Sequence, residues 1–170
     1  MKVFLSWSGT ESHEVAKVFK KWLPHIIESI KPYLSSEDIG KGKRWSADFS
    51  KELEDTTFGI LCVTKKNLSA PWLNFEAGAL SKTINESHVC PFLFKIKSSE
   101  ISDHPILQFQ HTIFEKEDIK KLMKVLNTAS GKDSLSDEKL SSAFDKWYSD
   151  LEEELNKISS SSDESEYATK

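Results

Sequence analysis

The sequence predicts an α/β fold: a doubly wound, mainly parallel sheet of about five strands with helices on both faces. Two patterns carry that expectation. Short apolar runs of strand length alternate about five times with longer segments whose apolar residues recur at helical spacing. The strongest of these runs, 58–64, is continuously apolar, as expected of a parallel strand buried on both sides. Such alternation implies right-handed crossovers, and in that architecture ligands gather at the C-terminal ends of the strands.

The first element, 2–6, reads as a buried strand. It feeds a helix over 11–30, with Val15, Ala16, Phe19, Trp22, Leu23, Ile26, Ile27 and Ile30 on one face. Residues 32–35 form a weak second strand. Residues 37–44 are polar with Gly40 and Gly42, hence a loop, and Ser46 caps a helix to about Asp55. The strand at 58–64 precedes a helix over 70–86, and 89–96 is a fourth strand, with Pro91 marking its start or a bulge. Residues 111–114 suit a short fifth strand. Helices follow at 117–126 and 136–158, the second with Leu140, Phe144, Trp147, Leu151 and Leu155 on one side. The expected organisation is one domain over 1–158, then a Ser- and acid-rich stretch, 159–170, read as a disordered tail or the start of a linker.

At 170 residues the chain is long enough for one domain that buries about 70% of its unfolded surface. A net charge of −4 disfavours general nucleic-acid binding. No apolar run approaches the ~18 residues of a membrane span, and the apolar stretch at 3–5 is too brief for a signal peptide, so a cytoplasmic location is expected. Cys62 and Cys90 fall in strand-like runs and are expected as reduced core residues. The five histidines show no metal-ligand spacing, so no metal site is expected, and no cofactor is expected either.

The loops narrow the chemistry. Acidic phosphoacceptor residues are missing at the strand ends, which carry Ser6-Trp7-Ser8 and Thr64-Lys65-Lys66. The P-loop, GxGxxG and GxSxG patterns are absent. What gathers at the strand ends is the Ser/Trp loop, a basic Gly loop with Lys41, Lys43, Arg44 and Trp45, and a helix with Trp72 and Glu76 on one face. Ser69 and Pro71 favour a helix start there, which puts Glu76 one turn in, where the helix dipole favours its ionised form. Such a set suits a ligand with phosphates, sugar hydroxyls and a cationic ring. The same residues also suit plainer roles: Trp72 and Phe75 as core, Glu76 as a solvated helix acid, the Lys/Arg loop as a solvated turn.

Four motifs then occur in order over about residues 1–115. Lys2-Val3-Phe4-Leu5-Ser6-Trp7-Ser8 before a helix resembles the first strand and turn of TIR (Toll/interleukin-1 receptor) domains, and 36–45 resembles their long loop after the second strand. Residues 59–64 resemble the third strand, and 67–80 the helix that carries the family's catalytic glutamate, with the Trp72-x-x-x-Glu76 spacing of bacterial members. The resemblance implies a flavodoxin-like TIR fold and NAD+ as substrate, cleaved at the nicotinamide–ribose bond to nicotinamide and ADP-ribose or a cyclic product. It implies Glu76 as the catalytic residue, activation by self-association, and a role in bacterial anti-phage defence, with a possible sensor domain or partner protein outside this chain. Trp72, Trp7, Ser8, Arg44 and Trp45 are the expected substrate-binding residues. The alternative the family allows is a non-catalytic module that assembles with other TIR domains. The helical region after 115 and Gln108-Phe109-Gln110 depart from the pattern and have no assigned role.

One carboxylate is chemically sufficient for the enzymatic reading. Ordinary glycosidases need a second as general acid for an alkoxide leaving group. Nicotinamide leaves a pyridinium as a neutral molecule, so Glu76 need only stabilise the oxocarbenium-like ribose and bind its hydroxyls. Trp7 and Trp72 are suited to stack on a ring, and Arg44 or a neighbouring Lys to meet the diphosphate.

Overall fold

A computed structural model describes residues 1–35, 54–68, 88–101, 103, 104, 106 and 109–158. The Gly loop at 37–44, the helix expected over 70–86 and the segment 159–170 lie outside the described residues, and with them Arg44, Trp45, Trp72 and Glu76. Of the helix expected over 46–55, only Glu54 and Asp55 are described; they form a turn, with Asp55 left-handed at φ 63°.

Five strands, β1 (Lys2–Ser6), β2 (Lys31–Leu34), β3 (Thr56–Val63), β4 (Val89–Leu93) and β5 (Thr112–Ile113), form one sheet. Its spatial order is β2-β1-β3-β4-β5 and every pairing is parallel. The described helices are α1 (Thr10–Ile26), α2 (Lys116–Ala129) and α3 (Asp137–Lys157). This is the parallel five-stranded sheet expected from the sequence, in the flavodoxin-like order.

The period-two alternation of the strands divides the core in two. Val3, Leu5, Phe58, Ile60, Cys62, Cys90 and Phe92 pack with the buried faces of α1, α2 and α3. Phe4, Leu61, Val63, Val89 and Leu93 form a second cluster with Ile96, Ile101, Ile106 and Phe109. Inside the first cluster Phe19 meets Phe92 edge to face at 4.8 Å, a geometry favoured by the aromatic quadrupole. The Trp22 indole donates to the Trp147 carbonyl at 2.8 Å, which fastens α3 to α1.

Several boundaries differ from the periodicity. The first helix ends at Ile26, not Ile30, because Pro24 in its last turn supplies no N–H and crowds the preceding turn, while Pro32 biases Lys31 toward extended backbone. Ile27 and Ile30 stay buried, but in the turn that leads into β2, where the Ile30 N–H reaches the Ile27 carbonyl at 3.1 Å. Pro91 lies in the middle of β4, paired with Leu61, and not at its start. The Phe94 N–H bonds to Val63 on β3, so by alternation the N–H missing at Pro91 would face the β5 side. There β5 begins only opposite Phe92, and no ladder bond is lost. The fourth strand stops at Leu93, where Lys95 turns left-handed at φ 58°. In α3 the buried face is Leu140, Phe144, Tyr148, Leu151 and Leu155; Trp147 is half-buried beside it.

Ser136 caps α3, its hydroxyl accepting the Lys139 N–H. Asn127 clamps the α2–α3 connection by giving and taking a hydrogen bond with the Leu135 backbone, both at 2.8 Å. No described helix is long and apolar enough to cross a membrane.

Both cysteines are buried free thiols. Burial pushes the Cys62 pKa far up and that of Cys90 to about 11, from an ordinary value of 9.0. Folding therefore favours the neutral thiols. Their contribution is complete below pH 9 and falls above it, as the unfolded chain ionises first. We expect about 1.4 kcal/mol lost per thiol between pH 7.5 and 10. Urea melts of the parent and of Cys62→Ala/Cys90→Ala check this: the double variant should lose markedly less stability over that interval.

Candidate functional site

In this strand order the chain leaves β1 toward β2 on one side and β3 toward β4 on the other. The C-terminal ends of β1 and β3 therefore border the topological switch point, where open α/β sheets bind ligands. Two loops flank it: residues 6–9 after β1 and residues 64–68 after β3.

The first loop is shaped by Gly9, at φ 86° and ψ 166°, a conformation essentially confined to glycine. A Cβ there would meet nothing within 4 Å, so the requirement is backbone geometry and not space. Gly9 turns the chain from β1 into α1, whose first turn begins at Thr10 and carries Glu11. Ser8 is buried. Its N–H donates to Ser12 Oγ at 3.0 Å, and Ser12 Oγ donates to the Cys62 carbonyl at 2.7 Å, so β3 reaches the loop through one hydroxyl. Trp7 is only 7% exposed. Its indole N–H donates to the Ser35 carbonyl at 2.8 Å, and its ring stacks on His13 with centroids 3.8 Å apart. Ser6 is fully buried at the end of β1, and its hydroxyl has no hydrogen-bond partner among the described residues.

The second loop is organised by Asn67, a buried side chain that the sequence brought in only as part of the family motif. Its Oδ1 accepts the Thr64 N–H at 2.8 Å while its own N–H donates to Thr64 Oγ1 at 3.4 Å, the reciprocal pattern of a capping box. Its Nδ2 donates to the Ser8 carbonyl at 3.0 Å and the Cys62 carbonyl at 3.2 Å. One amide thus closes the turn after β3 and ties it to the loop after β1. The far side of the turn is held by His104. Its Nδ1 accepts the Ile106 N–H at 3.0 Å, which fixes the tautomer, so Nε2–H donates to the Leu68 carbonyl at 2.8 Å. Lys65 also approaches Glu100 at 3.8 Å, an exposed pair that adds little.

Of the residues the sequence nominates, Trp7 and Ser8 are thus placed beside the switch point, buried and bonded within the protein. Glu76, Trp72, Arg44 and Trp45 lie outside the described residues. The contributions of Asn67, Ser12 and His104 were not legible, since each acts through a backbone group brought close only by the fold. Among the described residues no group of three or more His, Cys, Asp or Glu side chains gathers as a metal site requires.

A family model described as TIR domain covers residues 3–126, from β1 into α2. No curated protein and no solved structure matches the chain.

Proposed function

This chain belongs to the TIR-domain family, and from that premise we propose that it is an NAD+ hydrolase. It cleaves the nicotinamide–ribose bond to give nicotinamide and ADP-ribose or a cyclic ADP-ribose product. The observation that carries the reading is the Asn67 clamp at the switch point. It fixes the loop after β3 against the loop after β1, and in sequence a single carboxylate, Glu76, follows eight residues past Leu68, with Trp72 four residues before it.

In this mechanism Glu76 stabilises positive charge developing on the ribose and binds its hydroxyls, and nicotinamide departs without a general acid. Trp72 flanks the ring. Arg44 meets the diphosphate and Trp45 lines the same loop. Trp7 and Ser8 serve as the frame: their bonds to Ser35 and Ser12, and the stack on His13, hold the β1 loop in place, and substrate then meets its backbone and outer edge. The biological setting we propose is bacterial anti-phage defence, with a sensor domain or partner protein supplying the signal.

Activity on this account requires self-association through residues 37–45. That segment carries the apolar residues Ile39 and Trp45, suited to an interface, and Lys and Arg charges that suit a protein of net charge −4. Specific activity is therefore expected to rise with protein concentration, and Trp45→Ala to blunt the rise. Nicotinamide release measured over a wide concentration range, beside the oligomeric state, checks this. Constant specific activity in a protein that stays monomeric contradicts it.

A further inference from the structure

The edge of the sheet near the starts of its strands holds a cavity unconnected with the proposed reaction. It measures about 440 Å³, within the usual range for small-molecule sites, and lies near the starts of β3 and β4 under α2. Its origin is the shortness of β5. That strand pairs only with Phe92 and Leu93, so the first part of β4 has no strand beside it on this side, and the space is lined by Phe58, Cys90 and Leu122. Val125 on the rim is 43% exposed and is the one large exposed hydrophobic among the described residues.

Two opposite charges share the same wall. Asp118 and Lys121 stand three residues apart on α2 and both line the cavity. Asp118 Oδ2 accepts the Ile113 N–H at 2.7 Å, and its other oxygen retains acceptor capacity. Among the described residues these two side chains form no ion pair with each other, although their spacing allows one. An apolar floor beside a separated carboxylate and ammonium is complementary to a small dipolar molecule.

We propose that this cavity binds a small zwitterion with an apolar side chain, of the α-amino-acid class. The ligand's ammonium faces Asp118, its carboxylate faces Lys121, and its side chain lies against Phe58, Leu122 and Val125. Cys90 takes no chemical part, because its thiol is buried and shares a contact with Thr112 at 3.3 Å.

The test uses the full chain and three probes that share one ring: L-phenylalanine, phenylacetate and phenethylamine. Binding is followed by calorimetry and by amide NMR shifts at Asp118 and Val125. L-Phenylalanine should bind about tenfold more tightly than either singly charged probe, and Lys121→Gln and Asp118→Asn should each weaken it about tenfold. The Asn side chain keeps an acceptor for Ile113, so that variant should melt like the parent. If Asp118→Asn fails to fold, Lys121→Gln on the exposed rim carries the test alone. Absence of binding by all three probes, equal binding of all three, or affinity unchanged in Lys121→Gln overturns the proposal. Any of these results leaves the Glu76 reading untouched, since the cavity shares no residue with the loops after β1 and β3.

Discussion

Glu76→Gln is expected to reduce nicotinamide release by about 10²–10³-fold or more while leaving the melting temperature near that of the parent. The proposed role is electrostatic: a full negative charge faces a ribose that becomes cationic only as the bond breaks, and such groups act mainly on the transition state. Gln keeps the size and the hydrogen-bonding capacity but removes the charge. The loss should therefore appear in kcat more than in KM. Measuring both parameters beside a thermal melt separates this from misfolding, and near-normal turnover in a folded variant would refute the assignment.

Asn67→Ala is expected to have the largest effect on stability among the described residues of the site, about 3 kcal/mol. The change removes three hydrogen bonds and strands the Thr64 N–H in a buried turn; the Ser8 carbonyl loses this donor, and the Cys62 carbonyl keeps Ser12 Oγ. Because the clamp joins both loops of the switch point, activity should fall as well, even at temperatures where the variant is fully folded. Asn67→Asp offers a sharper comparison: it preserves the acceptor for Thr64 but sets a buried carboxylate oxygen against the carbonyls of Ser8 and Cys62. Urea denaturation of the three proteins at neutral pH should rank the parent first and the aspartate variant last. An alanine variant within about 0.5 kcal/mol of the parent would show that the clamp is not structurally important.

The sheet was legible because β1, β3 and β4 are continuous apolar runs, and in a chain of this length such runs with helices between them admit few arrangements. Ends were harder to read. Ile27 and Ile30 continue the helical period of α1 yet are buried in a turn, since burial and not helicity is what the apolar pattern records. Trp147 and Tyr148 are adjacent aromatics, and periodicity favoured the former; the ring that enters the core is Tyr148, while Trp147 stacks on His25 at 4.2 Å and accepts from Trp22 through its carbonyl.

At the site, the sequence located the loops but not their wiring. The Asn67 contact with Ser8 spans 59 residues and ends on a backbone carbonyl, which leaves no trace in residue type. His104 is the same case, reaching the carbonyl of Leu68 across 36 residues. The stack of Trp7 on His13 follows from where α1 begins, a boundary set by the unusual backbone at Gly9. Trp7, which the sequence suits to stacking on a ring, is buried against His13 and bonded to Ser35.

The most direct test of the central claim is incubation of the concentrated protein with NAD+ and quantification of free nicotinamide. The account predicts nicotinamide in amounts well above the protein concentration, accompanied by ADP-ribose or a cyclic isomer. Intact NAD+ after prolonged incubation of a folded, self-associated protein would contradict it and leave the chain as a TIR module that acts by assembly alone.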